Sequence, residues 1–99
     1  MKIKSNVSIR NIRPQMVLAA MVVAQYCEEI NAECTITSGD DGTHGADSLH
    51  PYGLALDFRN RDLTMSEKES MREQIAKRLG PDFDVVLEST HLHVEYDPD

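Results

Sequence analysis

The segment Gly53-Leu54-Ala55-Leu56-Asp57-Phe58-Arg59 decides how the chain reads. Side chains on a strand point alternately to opposite faces. Leu54, Leu56 and Phe58 therefore share one face, and Gly53, Ala55, Asp57 and Arg59 the other. The apolar face must pack on other elements. The opposite face sets a carboxylate beside residues with almost no side chain, which predicts open space next to Asp57, as a cleft requires. Just upstream, Ser48-Leu49-His50-Pro51-Tyr52 brings a histidine to the start of the strand, with Pro51 stiffening the approach.

Near the other end of the chain, His91 to Tyr96 alternates in the same way. Leu92, Val94 and Tyr96 share one face, and His91, His93 and Glu95 the other. If the two strands are neighbours, Asp57 and His93 converge and His50 completes a set of two imidazoles and one carboxylate. That set suits Zn²⁺ with one coordination position left for water, the catalytic kind of zinc site. A carboxylate close by would serve as general base. The structural alternative is a solvated polar face with hydrogen-bonded histidines.

The remaining elements follow from local signals. Residues 1 to 13 read as an extended segment or weak edge strand, with Ile3, Val7, Ile9 and Ile12 as its apolar points. Pro14 suits the first turn of a helix, where its missing N–H costs nothing. That helix runs to about Ile30, and its apolar run from Val17 to Ala24 predicts a largely buried element. Glu33 to Ser38 alternates as a half-buried strand. Thr64-Met-Ser-Glu67 is a capping box that opens a second helix. Met71, Ile75 and Leu79 form its inner stripe, and Gly80-Pro81 ends it. Phe83 to Leu87 and His91 to Tyr96 form an antiparallel hairpin across Glu88-Ser-Thr. The order β-α-β-β-α-β-β predicts an α+β domain. Its sheet is small and mainly antiparallel, with both helices on one face and the zinc site on the other.

The segment 39–48 holds three glycines and three aspartates, which excludes regular structure there. His44 reads as a solvated loop histidine. Asp40 and Asp41 are a weak signal for a second cation such as Ca²⁺. Ser48 is placed to hydrogen-bond within the loop and hold the backbone of His50. Tyr52 either lines the cleft or only packs.

Ninety-nine residues allow a single small domain with one core. A net charge of −7 with no basic stripe argues against nucleic-acid binding. Cys27 and Cys34 read as buried free thiols rather than a disulfide. The N-terminal residues lack the continuous apolar core of a signal peptide. The run from Val17 to Ala24 is too short to cross a bilayer. The expectation is a monomer made in the cytoplasm and not inserted in a membrane.

The residues also carry a resemblance. Ser48-x-His50-x-x-Gly53-x-Ala55-x-Asp57, followed by His91-x-His93, resembles the signature of the zinc D-Ala-D-Ala metallopeptidase superfamily. That group includes D,D-carboxypeptidases, peptidoglycan endopeptidases of bacteria and phages, and the hedgehog signalling domain. Ile36-Thr-Ser-Gly39 resembles the strand and turn before its first zinc ligand. The likeness spans about residues 33 to 97. It implies that His50, Asp57 and His93 ligate zinc, that His91 sits beside the metal and assists the transition state, and that Glu88 is the catalytic acid. A Glu-x-x-His reading, with His91 as ligand and Glu88 as base, stays open. Glu95 either orients an imidazole or belongs to the surface.

The implied substrate is a peptidoglycan stem peptide or cross-link, reached at the cell wall. The compact size resembles phage-type relatives. Many carboxypeptidases of the group place an arginine after the Ser-Gly turn to bind a terminal carboxylate. Here no arginine lies between Arg13 and Arg59, which points to an endopeptidase. Arg59 could substitute, although an ion pair with Asp57 or Asp62 is its more ordinary role. Members of the group without catalysis make a silent zinc-binding module, or a virion structural component, the alternative.

Overall fold

The computed structural model describes residues 1–40 and 48–98. The strands are β1 (Lys2–Ile3), β2 (Thr35–Ser38), β3 (Ala55–Arg59), β4 (Phe83–Leu87) and β5 (His91–Tyr96). The helices are α1 (Pro14–Glu29) and α2 (Met65–Leu79). They build the expected α+β fold around one sheet, in the order β1-β2-β3-β5-β4. β1 and β2 run parallel, and every other neighbouring pair is antiparallel.

The strand alternation is realised in the core. Ile36, Leu56, Phe58, Leu92 and Val94 are buried on the sheet face that meets both helices. α1 contributes Met16, Ala19, Val23 and Cys27, and α2 contributes Met71 and Ile75. Each fully buried side chain of the Leu, Ile or Phe kind stabilises the fold by about 1.5–3 kcal/mol. The capping box is complete: Glu67 N–H donates to Thr64 Oγ1 at 3.1 Å, and Thr64 N–H donates to Glu67 Oε1 at 2.8 Å. Gly80, at φ +88°, ends α2, and its N–H donates to the Ala76 carbonyl. Cys27 and Cys34 are buried and not bonded to each other.

Three expectations need correction. First, α1 is not buried all round: Val17, Leu18 and Met21 are 45, 54 and 63% exposed. A helix lying on a single sheet can bury only one side, and here that side is the stripe at residues 16, 19, 20, 23, 26 and 27. Second, β3 starts at Ala55 and not at Gly53. Residues His50–Tyr52 wind into a 3-10 turn, which Gly53 closes in the left-handed region at φ +72°. Third, only Lys2–Ile3 of the first 13 residues forms a strand. Beyond it, Val7, Ile9 and Ile12 hold the irregular segment by packing against the core.

Candidate metal centre

The register of β3 against β5 sets Asp57 directly opposite His93, Arg59 opposite His91 and Ala55 opposite Glu95. Opposed side chains on one face of an antiparallel pair have Cβ atoms about 4.5–5.5 Å apart. Asp57 and His93 must therefore meet, and His93 Nδ1 lies 2.8 Å from Asp57 Oδ1. The face away from the helices is not an open shelf, however. Ala55 is fully buried and Asp57 is only 9% exposed, so the small side chains admit close packing around the carboxylate.

His50 reaches the same carboxylate from the 3-10 turn, with Nε2 at 3.4 Å from Asp57 Oδ1. Several contacts fix its orientation. Its backbone N–H donates to Ser48 Oγ at 3.2 Å, as the sequence led us to expect. Its Nδ1 lies 2.8 Å from the Gly39 carbonyl. A carbonyl can only accept, so Nδ1 carries the proton and Nε2 is the nitrogen turned towards Asp57.

Two glycines let the N-terminal segment clamp this loop at both ends. A Cβ on Gly39 would stand 2.0 Å from the Ser8 carbonyl oxygen, and one on Gly53 2.2 Å from that of Asn11. Backbone bonds use the proximity: Asp40 N–H donates to the Ser8 carbonyl, and Arg13 N–H to the Gly53 carbonyl. Alternation alone does not show this clamp. Gly53 is small because the backbone of Asn11 crosses it, rather than to leave space beside Asp57.

His50, Asp57 and His93 each offer one ligand atom, and these atoms lie within 4.8 Å of one another. Ligand bonds of about 2.0–2.1 Å in a tetrahedral site place neighbouring ligand atoms about 3.3 Å apart. The 3.4 Å between His50 Nε2 and Asp57 Oδ1 fits that edge. The 2.8 Å between His93 and Asp57 is a hydrogen-bond length and would open by about half an ångström around an ion. This buried group could hold a metal ion.

Electrostatics agree with the geometry. His93 Nε2 lies 2.7 Å from Glu95 Oε1, so both ring nitrogens face carboxylates. Two acceptors require two N–H donors, which makes His93 an imidazolium in this arrangement. The hydrogen bond to Asp57, helped by the one to Glu95 against the effect of burial, pushes its pKa up to about 9. Burial pushes the Asp57 carboxyl up, but the His50 and His93 imidazoles outweigh it and hold the group well below the ordinary carboxylate range. Glu95 thus does what a carboxylate behind a metal-ligating histidine does: it holds the far nitrogen and fixes the ring.

The other candidates fall in different places. His91 stands at the edge of the group, half-buried, with Nε2 3.7 Å from Asp57 Oδ2 and Nδ1 3.2 Å from Thr90 Oγ1. Glu88 is exposed in the β4–β5 turn, where its N–H donates to the His91 carbonyl. Arg59 makes no ion pair with Asp57 or Asp62 among the described residues. Tyr52 is 64% exposed. Asp40 accepts the Asn11 N–H at 2.6 Å, a structural use of its carboxylate. Asp41 and His44 lie outside the described residues. Asp84, Glu95 and Asp97 also gather carboxylates, but exposed acidic groups do so commonly without an ion.

Comparison of the chain with protein-family models and with curated proteins finds no match. The functional reading therefore rests on the residues themselves and on their arrangement.

Proposed function

We propose that this protein is a zinc metallopeptidase that hydrolyses amide bonds in peptidoglycan stem peptides or cross-links, as an endopeptidase. The observation that carries the reading is the convergence of His50, Asp57 and His93 on one buried point, with ligand atoms within 4.8 Å. Two imidazoles and one carboxylate form the donor set of a catalytic zinc site, with a coordination position left over. Bound zinc supplies a Lewis acid and lowers the pKa of water to near neutrality.

The chain's own residues do the rest. The Gly39 carbonyl holds the Nδ1 proton of His50 and so keeps Nε2 as the ligating nitrogen. Glu95 keeps the Nε2 proton of His93, so that Nδ1 is the nitrogen that ligates once its own proton has left. His91, at the rim, is placed to give a proton to the amide as it reacts, or to stabilise charge on its oxygen. A groove of about 540 Å³ between Asn11–Pro14 and Pro51–Tyr52 starts at the turn that carries His50 and could seat an extended peptide. Glu88 keeps its role as the catalytic carboxyl that, with His91, helps the attacking water in this reading. From the turn its carboxylate has to swing towards bound substrate.

The exposure of Glu88 also favours a second reading, a zinc-binding module without turnover. One experiment separates them. Purified protein is assayed for stoichiometric metal, then incubated with purified cell walls while new amino groups are counted and fragments are identified by mass spectrometry. The endopeptidase reading expects bound zinc, released amino groups, and loss of both in His93→Ala. His91→Ala should keep the metal and lose activity. Metal without amino-group release supports the silent module, and a protein that takes up no stoichiometric metal sinks both.

A further inference from the structure

β4 is the outer strand of the sheet, next to β5. Two bonds fix the phase of its ladder. Glu88 N–H donates to the His91 carbonyl, and Asp97 N–H donates to the Asp82 carbonyl. In an antiparallel pair such bonded pairs recur at every second residue. The register then spends the backbone of Asp84 on Glu95 and that of Val86 on His93. Phe83, Val85 and Leu87 turn their N–H and carbonyl groups outwards. The Gly80 carbonyl takes the N–H of Phe83. The N–H and carbonyl groups of Val85 and Leu87 have no backbone partner among the described residues. A row of this kind is a template for another strand.

The side chains of the edge select what can pair with it. Asp82, Asp84 and Glu88 alternate onto one side of the strand with Val86, and all four are exposed. Phe83, Val85 and Leu87 pack on the other side against the core. Beside Asp84 the negative charge deepens: Asp84, Glu95 and Asp97 each bring a carboxylate oxygen within 4.8 Å of the others. The ion pairs of the described residues lie elsewhere, at Lys2–Glu33, at Arg78–Glu29 and around Asp57 and His93. Lys68, at the turn after β4, spends its ammonium on the Ser89 carbonyl at 3.3 Å.

A second copy of the chain does not fit this edge. Antiparallel pairing of β4 with itself, with Val85 opposite Val85, sets Asp82 against the second copy's Glu88. Sliding the pair one step either way sets Asp84 against the second copy's Asp84 or against its Glu88. Like charges directly opposite each other destabilise a pair of strands, and opposite charges stabilise it.

We infer that the β4 edge is a docking site for an extended cationic peptide, which adds as a sixth strand with Lys or Arg at alternate positions. Its basic side chains meet Asp82, Asp84 and Glu88 across the new pair. The side chains between them lie beside Val85 and Leu87 on the helix side. The added strand runs about 10 Å from β5, two strand spacings away. The site uses no metal ligand and stands whether or not the chain is a peptidase.

The test uses the whole, ¹⁵N-labelled protein at low salt, with the peptide acetyl-Lys-Val-Lys-Val-Lys-Val-Lys-amide as probe. One control peptide carries Glu in place of Lys. A second keeps the lysines but has N-methylated valines, whose N–H groups face β4 in this pairing. The probe should move the Val85 and Leu87 amide resonances saturably and slow their hydrogen exchange, while the Glu peptide leaves them in place. The N-methylated peptide should bind at least about tenfold more weakly. The double variant Asp82→Asn/Asp84→Asn should bind the probe at least about fivefold more weakly than the native protein. The inference is overturned if the probe gives no saturable shift at Val85 and Leu87. It is equally overturned if the N-methylated peptide binds as well as the probe, since charge would then attract without strand pairing, or if the double variant binds like the native protein. Movement of the same amides with protein concentration alone would also overturn it, because a second copy would then hold the edge. Should the double variant fail to fold, the three peptides on the native protein still decide.

Discussion

Asp57 and Asn60 are three residues apart on the same stretch of chain and are almost equally withdrawn from water, at 9% and 2% exposure. Their surroundings are opposites. Asp57 is ringed by His50, His91 and His93, all within 3.7 Å of its oxygens. Asn60 has no side-chain partner among the described residues. The pair teaches that burial by itself does not tell what a polar residue is for. A charge can be kept inside because its neighbours are built for it, whereas a neutral amide without neighbours is a cost that the rest of the fold offsets.

Substitutions should pull this contrast apart. Asp57→Ala should have the largest effect. It removes the common partner of three imidazoles and should lower zinc affinity by at least about a thousandfold by calorimetric titration. It should also reduce the unfolding free energy of the metal-free protein by about 3–5 kcal/mol in urea, the usual result of stranding one side of a buried charged pair. At Asn60, which has no side-chain partner to strand, the similar-sized apolar replacement Asn60→Leu should instead raise the melting temperature.

Gly53→Ala should come next. It forces a side chain into the left-handed region at φ +72° and against the Asn11 carbonyl. A loss of about 2–3 kcal/mol is expected. Zinc affinity should fall with it, because the turn that carries His50 has to move. If stability falls while zinc affinity is unchanged, the N-terminal clamp does not position His50.

Glu95→Gln should cost about ten- to a hundredfold in zinc affinity, the typical effect of losing the carboxylate behind a ligating histidine, with little change in folding. The pH dependence sharpens the same point. In chelator, the stabilisation from protonated His93 is fully present below its ordinary pKa of 6.5 and is lost as pH rises through about 9. The stabilisation from ionised Asp57 is present above the ordinary carboxylate pKa of about 4 and is lost on acidification. The melting temperature of the metal-free protein should therefore peak between about pH 4 and 6.5. Glu95→Gln should move the alkaline fall to lower pH. Thr64→Ala, far from both residues, should cost only about 1 kcal/mol through its lost helix cap and should leave zinc binding unchanged.

Much of the fold was legible because it depends on short-range rules. Pro14, the Thr64–Glu67 box and Gly80 mark helix ends by local stereochemistry. The period-2 patterns of β3 and β5 already placed Asp57 and His93 on matching faces. What was not legible depends on contacts between distant segments. The exposed flank of α1 follows from there being one sheet for it to lie on, which its own sequence does not state. The role of Gly39 depends on Ser8 crossing it. Glu95 could be read either as surface or as a support for His93, and only the strand geometry places its oxygen 2.7 Å from Nε2. Asn60 gave no signal at all, because Asn-Arg-Asp after a strand looks like an ordinary turn.

The strand order has a consequence for how the chain comes to be folded. β5 is the last strand in sequence, yet it lies between β3 and β4. Until residues 91–96 arrive, the edges of β3 and β4 that will face β5 stay bare, and helix α2 has only half a sheet to settle on. His50 and Asp57 alone offer two ligands, too few for a tight site. A nascent chain that has emerged as far as β4 therefore cannot be trapped by metal in an incomplete shape. Asp57 and His93 are 36 residues apart, so their meeting is a non-local event that waits for the sheet to close. Capture of a metal by this group would then report that the sheet has closed.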